Sequence, residues 1–302
     1  MAEWKPELEV SERLVRELLA QQFPELPGPT VQRLSAGWDN TVFLVNGAWV
    51  FRFPHRQVAL AGVRTEMEVL PRLAPHLPLP IPHPVFLGRG SQAYPWPFFG
   101  ARLVPGQESA AFQLSAGERA ALAPQLARFL RALHAPELCA ALRPLLPPDT
   151  QRRTDMAARL PKTRQRLEEL RRLGHETFEE ALAEMFEAAQ SLPPPVSTAL
   201  VHGDLHFRHL LLAERAQLSG IIDWGDLHLG DPAVDLQLYW SFLPPEGREA
   251  FLAEYGPVTP DGLLRARVVA VFLSAVLASY GHQEGLKDVE REALWGLRQA
   301  AM

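Results

Sequence analysis

The chain contains little cysteine, lysine or asparagine and no long uninterrupted apolar run. Cys139 is its only cysteine, which excludes an intramolecular disulfide framework and fits a reducing cytoplasm. Residues 1–10 are charged and lack the apolar segment of a secretory signal. The longest apolar run, residues 268–280, is shorter than the ~20 residues that span a bilayer, so a buried C-terminal helix is predicted there. We therefore expect a cytoplasmic protein that does not bind membranes.

The overall charge excludes further classes of partner. The formal net charge is -5, whereas proteins that bind nucleic acid or anionic membranes carry an extended positive field. With 302 residues and 47% hydrophobic content, the chain is long enough for one large domain or two smaller ones. Nucleic acid and acidic membrane surfaces are therefore not expected as partners. A monomer or homodimer is expected.

The first third of the chain has the pattern of a β-rich unit. Asn46-Gly47 separates two apolar runs, Val42–Val45 and Trp49–Phe53, and this dipeptide supplies the positive φ values of a tight hairpin. Two helices and two further strands are predicted around the hairpin: helices over residues 7–22 and 58–73, and strands over residues 85–88 and 98–104.

Beyond Pro105-Gly106, a predicted hinge, the pattern becomes mainly helical. Helices are predicted over residues 115–134, 155–173 and 176–192 and again from about 232, with short strands at 200–201, 210–212 and 220–222. The sequence therefore predicts an α+β protein of two lobes. The first, residues 1–105, contains a small antiparallel sheet, and the second, residues 106–302, is larger and mainly helical.

The densest group of residues suited to catalysis lies in two segments of the second lobe. One reads His202-Gly-Asp204-Leu-His206 and continues to His209, and the other contains Asp223. Short predicted strands flank both segments, and strand ends and tight loops hold side chains rigidly enough for chemistry. We interpret the group as a catalytic site rather than a solvated run of charges.

Several motifs resemble those of the aminoglycoside phosphotransferase family. In the second lobe they are His202-Gly-Asp204-Leu-His206, Ile222-Asp223-Trp-Gly-Asp226 and Gly230-Asp-Pro-Ala-Val-Asp235. In the first lobe, Gly37-Trp-Asp-Asn40-Thr-Val-Phe43 and Trp49-Val-Phe-Arg52-Phe-Pro54 are similar to the nucleotide loop and second strand, especially of the macrolide-kinase-like branches. The resemblance covers roughly residues 34–240 and implies a two-lobed protein-kinase-like fold, with a nucleotide-binding first lobe and a catalytic, substrate-binding second lobe.

The resemblance also implies the reaction and the roles of individual residues. A kinase of this family transfers phosphate from ATP or GTP, with Mg²⁺, to a hydroxyl of an aminoglycoside, a macrolide or a related metabolite. Asp204 matches the aspartate that accepts or orients the hydroxyl proton, and Asp223 matches a metal ligand. The remaining nucleotide-binding positions are Gly37 and Asn40 in the loop, and Leu103 and Val104 where the connection between lobes meets the base.

The scarcity of lysine assigns the cation of the first lobe. Kinases usually place a lysine on the second hairpin strand, but this chain has none between Lys5 and Lys162, and Arg52 occupies the position. The resemblance implies that Glu66 pairs with Arg52, and Glu68 is the competing partner. Arginine contacts phosphate through a planar fork rather than as a point charge.

The scarcity of asparagine bears on the metal. The family places an asparagine five residues after the catalytic aspartate, but here His209 stands there, and no asparagine follows Asn46. Magnesium prefers oxygen ligands, whereas imidazole suits transition metals. We therefore predict that Asp223 and His209 bind the metal, with Mn²⁺ as an alternative to Mg²⁺ or with one weakened site.

Two other functions and two kinds of acceptor stay open. The chain is alternatively a catalytically weak or inactive kinase-like nucleotide-binding protein, or a metal-dependent hydrolase built on the histidine and aspartate cluster. Acidic residues at 179, 180 and 184 suit a polycationic acceptor, whereas aromatic residues at 240, 242, 251, 272 and 280 suit an apolar one.

Overall fold

The computed structural model describes residues 6–37 and 39–302 and divides into two compact units. The N-terminal unit comprises Met1–Pro75 and Pro80–Val104, and the C-terminal unit comprises His76–Leu79 and Pro105–Met302. Trp38, part of the predicted nucleotide loop, lies outside the described residues.

An antiparallel sheet of five strands forms the centre of the N-terminal unit, in the order β1-β2-β3-β5-β4. The strands are β1 (Val31–Ala36), β2 (Asn40–Val45), β3 (Trp49–Pro54), β4 (Pro84–Gly88) and β5 (Phe98–Arg102). The predicted hairpin is present as β2 and β3, and Asn46 and Gly47 have φ values of 52° and 65°. Strand residues alternate between the two faces of a sheet. Phe51 and Phe53 therefore enter an aromatic core with α1 (Glu12–Gln22), whereas Arg52 faces α2 (Leu60–Leu73).

Helix α1 begins five residues later than the helical periodicity predicts. The backbone N–H groups of Glu7 and Leu8 donate to the carbonyl oxygen of His55, at 2.8 and 3.2 Å, and so hold this segment outside the helix. The side chain of Ser11 then accepts from the N–H of Leu14 and caps the first turn.

Nine helices are described in the C-terminal unit. They are α3 (Ala116–Leu133), α4 (Pro136–Leu142), α5 (Met156–Arg172), α6 (Glu179–Gln190), α7 (Ala233–Leu236), α8 (Leu238–Ser241), α9 (Pro245–Tyr255), α10 (Pro260–Gln283) and α11 (Lys287–Ala301). Among the described helices, α10 alone is long and apolar enough to cross a bilayer by length and composition, because it extends beyond residues 268–280 at both ends. Its apolar window is 61% buried and it packs against α5 and α11, as a core helix does.

Five short strands frame the two polar segments of this unit. They are β6 (Gln107–Glu108), β7 (Ala199–Val201), β8 (Leu210–Glu214), β9 (Gln217–Ile221) and β10 (His228–Gly230). Strand β7 pairs with β10, and β8 lies between β6 and β9. The segment containing Asp204 joins β7 to β8, and Asp223 lies two residues after β9. Antiparallel pairing of β8 with β9 brings these segments together.

Candidate active site

Arg52 is held by residues from two elements of the N-terminal unit. Its Nη1 donates to Glu66 Oε1 at 3.0 Å, and the Glu66 side chain is only 1% exposed. With its amide oxygen turned toward Arg52, Asn40 accepts from Nη2 and Nε at 3.0 and 3.2 Å. Glu68, the competing partner, is exposed. Glu66 and Asn40 therefore fix the orientation of the Arg52 guanidinium. The side chain of Asn40, a predicted nucleotide-binding residue, contacts Arg52 in this structure.

The other predicted nucleotide-binding residues make backbone contacts. The N–H of Gly37 donates to the carbonyl oxygen of Asn40 at 3.0 Å, so this amide already closes the turn between β1 and β2. The N–H of Leu103 donates to the carbonyl oxygen of Ala48 at 2.9 Å. The side chain of Leu103 is exposed and that of Val104 is buried.

Asp235 anchors the segment that follows β7. Its carboxylate is fully buried and accepts from the N–H of His202 at 2.8 Å, from the N–H of Gly203 at 3.0 Å and from His134 Nε2 at 3.1 Å. Gly203 has a φ of 85°, and a Cβ there would lie 2.3 Å from the carbonyl oxygen of Asp226. The segment is therefore held in one conformation by the buried carboxylate of Asp235, which His134 also contacts.

His202 ties the two polar segments together. Its Nε2 donates to the carbonyl oxygen of Ile222 at 3.0 Å, and its Nδ1 accepts from the N–H of Asp204 at 3.3 Å. Burial lowers the pKa of His202 to about 4, so the ring is neutral at physiological pH. Both ring nitrogens are hydrogen-bonded to the backbone, so the neutral ring of His202 supports the loop and is not placed to transfer a proton.

In the site, the accessible carboxylates of Asp204 and Asp223 lie beside the buried imidazoles of His206 and His209. The side chains of Asp204 and Asp223 are 36% and 48% exposed. His209 donates from Nδ1 to the backbone oxygen of Asp204 at 2.8 Å, and its Nε2 lies 3.4 Å from Asp223 Oδ2. His206 stacks on His209 with ring centroids 3.9 Å apart, and its Nε2 lies 3.7 Å from Asp204 Oδ2.

The electrostatics of these groups follow from burial and from their mutual charges. Burial, together with the negative charges of Asp226 and Asp223, outweighs the attraction of His209 and raises the pKa of Asp204 to about 7. The exposed part of this side chain limits the rise, since water still solvates the charged form. Burial would lower the pKa of His209, but its hydrogen bond to Asp223 and the two carboxylate charges raise it instead. Burial lowers the pKa of His206 well below its usual value.

The same donor atoms are close enough to hold a cation. One ligand atom each from Asp204, His206 and His209 lies within 4.8 Å of the others, and Asp223 adjoins His209. Carboxylate oxygens with imidazole nitrogens form a mixed donor set, which suits Mn²⁺ and zinc-type ions as well as Mg²⁺.

Sequence reasoning missed the ion pair beside the site. Arg153 donates through Nη2 to Asp226 and through Nη1 to Asp149, the latter at 3.0 Å. The side chain of Arg153 is 12% exposed and that of Asp226 is 41% exposed, so this link between the segment before α5 and the loop after Asp223 is shielded from water only on the arginine side. Arg153 lies between predicted helices and outside any motif, so no local pattern indicates the contact.

The residues considered for acceptor binding lie in different environments. Glu179, Glu180 and Glu184 are exposed on α6, as a solvated helix face would be. Phe242 and Phe251 are buried in the core. Trp240, Phe272 and Tyr280 are half-buried. The structure therefore removes Phe242 and Phe251 from the possible contacts of an acceptor.

Comparison with known proteins identifies the family. The sequence matches the model of the phosphotransferase enzyme family over residues 30–267, which is most of the chain. The chain belongs to this family. One curated relative, the uncharacterized protein YcbJ of Bacillus subtilis (strain 168), is 38% identical over 61 residues, 20% of either chain, so the match spans only one fifth of that relative.

Solved structures of family members are similar over nearly the whole chain. The GDP and kanamycin complex of APH(2″)-IIIa is 27% identical, with a TM-score of 0.67 over 95% of this chain and 97% of that one. The GDP complex of wild-type aminoglycoside 2′-phosphotransferase-IIIa is 26% identical, with the same TM-score over 97% and 99%. Macrolide 2′-phosphotransferase MphH from Brachybacterium faecium is 24% identical, with a TM-score of 0.59 over 94% and 97%, and shares the fold. The predicted kinase-like α+β fold and the phosphotransferase class are thereby confirmed.

Proposed function

We propose that the protein transfers the γ-phosphoryl group of ATP or GTP to a hydroxyl of a small molecule. The observation that carries the proposal is the placement of Asp204. Its carboxylate is solvent-accessible, lies on a loop anchored by buried Asp235, and has a pKa raised toward neutrality by partial burial and neighbouring carboxylates. A base whose pKa lies near the working pH is the most effective partner for a hydroxyl proton.

In the proposed reaction, Asp204 accepts a hydrogen bond from the acceptor hydroxyl and orients its oxygen toward the γ-phosphorus. The new oxygen–phosphorus bond forms as the bond to the nucleoside diphosphate breaks, and the hydroxyl proton passes to Asp204. Arg52, whose fork is held by Glu66 and Asn40, is proposed to contact a nucleotide phosphate. Gly37, Leu103 and Val104 are proposed to contribute to nucleotide binding through their backbones.

The metal is proposed to be held by Asp223 and His209. Their donor atoms lie 3.4 Å apart, and the carboxylate of Asp223 is accessible, so the pair fits a cation that takes oxygen and nitrogen ligands. A bound Mg²⁺ or Mn²⁺ neutralises charge on the phosphate oxygens. His209 is itself oriented by the backbone oxygen of Asp204, so one loop positions both the proposed base and the proposed ligand.

The acceptor is proposed to be an aminoglycoside, a macrolide or a related hydroxylated metabolite. Support comes from two solved relatives: APH(2″)-IIIa in complex with GDP and kanamycin, and a macrolide 2′-phosphotransferase. The APH(2″)-IIIa complex with kanamycin is 27% identical to this chain, which makes aminoglycosides the first compounds to test.

The decisive experiment replaces the proposed base. Asp204→Asn is expected to abolish phosphate transfer to a panel of aminoglycosides and macrolides, whereas the rise in Tm that nucleotide causes should persist. Mass spectrometry detects the phosphorylated compounds. Asp261→Asn, an exposed aspartate at the start of α10, is the matched control and is expected to keep wild-type turnover. Unchanged turnover in Asp204→Asn would sink the proposal.

One observation favours a second function, metal-dependent hydrolysis. Asp204, His206 and His209 place three ligand atoms within 4.8 Å of one another, as in metal centres that activate water. A hydrolase would release inorganic phosphate from a phosphate monoester with metal alone and without nucleotide. Phosphate transfer that requires both nucleotide and acceptor would exclude this alternative.

A further inference from the structure

A second group of metal-ligating side chains lies in the C-terminal unit, within none of the motifs discussed above. It comprises His175, in the segment between α5 and α6, His282, near the end of α10, and Glu290, in the first turn of α11. His175 Nε2 lies 3.0 Å from His282 Nδ1 and 3.3 Å from Glu290 Oε1, and His282 Nδ1 lies 3.0 Å from the same oxygen. Three donor atoms therefore form a nearly equilateral triangle.

Hydrogen bonding alone does not account for this triangle. The carboxylate of Glu290 brings no hydrogen, and each of the two ring nitrogens carries one at most. If both nitrogens are protonated, two donors face each other across 3.0 Å; if only one is protonated, one contact joins two acceptors. No arrangement of protons gives all three contacts a hydrogen, whereas a cation at the centre is bound by all three lone pairs.

The edges of the triangle match the coordination sphere of a small transition-metal ion. Zinc binds imidazole nitrogen and carboxylate oxygen at about 2.0–2.1 Å, and tetrahedral geometry then spaces the ligand atoms about 3.3–3.4 Å apart. The observed edges of 3.0–3.3 Å need only a small expansion. The side chain of His282 is 36% exposed, so water can reach a fourth position.

Neighbouring residues orient the three donors. Lys287 Nζ donates to Glu290 Oε2 at 2.8 Å, which leaves Oε1 directed toward the histidines. Gly281 allows α10 and α11 to approach closely, because a Cβ at this position would lie 2.6 Å from the backbone nitrogen of Glu290. This close approach places His282 beside Glu290.

We propose that His175, His282 and Glu290 bind one zinc-type divalent transition-metal ion. The ion joins the segment after α5 to the α10–α11 pair and stabilises the C-terminal unit. Two imidazoles and one carboxylate favour zinc-type ions over Mg²⁺ or Ca²⁺, which prefer oxygen. The inference is independent of the proposed phosphotransferase reaction.

The test uses tag-free, chelator-treated full-length protein titrated with zinc chloride. Wild type is expected to bind zinc with a rise in Tm of about 3 °C or more at saturation. His282→Gln and Glu290→Gln are each expected to lose one equivalent of bound zinc or to bind it with a Kd about 100-fold or more higher. His76→Gln, at an exposed histidine elsewhere, is the matched control and is expected to keep that equivalent.

A second variant, His209→Asn, distinguishes zinc bound at the proposed site from zinc bound at the Asp204 cluster. This variant is expected to retain the equivalent of zinc that His282→Gln loses. Cobalt provides a measurement that needs no variant at the proposed site, because four-coordinate Co²⁺ with nitrogen ligands absorbs visible light strongly. We expect this absorption in His209→Asn. Its absence there, or wild-type zinc stoichiometry and Kd in folded His282→Gln and Glu290→Gln, would overturn the proposal.

Discussion

At the scale of single residues, His209 is the main departure from the pattern expected for the family. It occupies the position of an expected asparagine, and its two ring nitrogens have different neighbours. Nδ1 donates to the backbone of Asp204, and Nε2 faces Asp223. An asparagine here would offer an amide oxygen to the proposed metal in place of an imidazole nitrogen. In the proposed mechanism, His209 therefore supplies a nitrogen ligand while its Nδ1 holds the loop.

His209→Asn is therefore expected to shift the metal preference toward magnesium. An oxygen ligand is harder than imidazole, so kcat/KM with Mg²⁺ relative to Mn²⁺ should rise about 10-fold. Steady-state kinetics with each metal, on wild type and on the variant, measure the ratio. The same ratio in both proteins would show that His209 does not bind the metal.

At the scale of elements, the loop between β7 and β8 depends on one buried carboxylate from α7. Asp235→Asn replaces an acceptor of three hydrogen bonds with a group that presents two hydrogens of its own. We expect a loss of about 1–3 kcal/mol in the free energy of unfolding for the donor left unpaired. A fall in kcat with little change in the nucleotide KM should accompany it, because the loop that carries Asp204 shifts. Urea unfolding and kinetics measure the two effects, with Asp261→Asn as the control.

The pH dependence of stability provides a second test of the role of Asp235. Burial raises the pKa of Asp235, but the hydrogen bond and charge of His134 outweigh it, and the net pKa is lowered. A lowered native pKa stabilises the fold at neutral pH, and this contribution is lost as the pH falls through the lowered value. The stability gap between wild type and Asp235→Asn should therefore narrow in acid. A constant gap would contradict the assigned role.

Sequence reasoning succeeded for elements defined by local chemistry. Asn46-Gly47 indicated a hairpin, and the structure contains it as β2 and β3. It failed where a distant contact decides the outcome, as for the start of α1, which the carbonyl of His55 delays. His175 and His282 are 107 residues apart in sequence, so only the packing of the helices brings their rings together.

At the scale of the whole molecule, the proposed function predicts a response to ligands. A ligand that binds only the native protein raises Tm according to its concentration relative to Kd. ATP and GTP are each combined with Mg²⁺ or Mn²⁺, and a rise of about 3 °C or more is expected for at least one nucleotide with metal, but not for that metal alone. Since Arg52 is proposed to contact phosphate, Arg52→Gln should reduce this rise, whereas exposed Arg64→Gln in the same unit should not. If no combination changes the Tm of wild type, nucleotide binding and the proposed transfer reaction are both wrong, while the zinc site, tested without nucleotide, stands or falls separately.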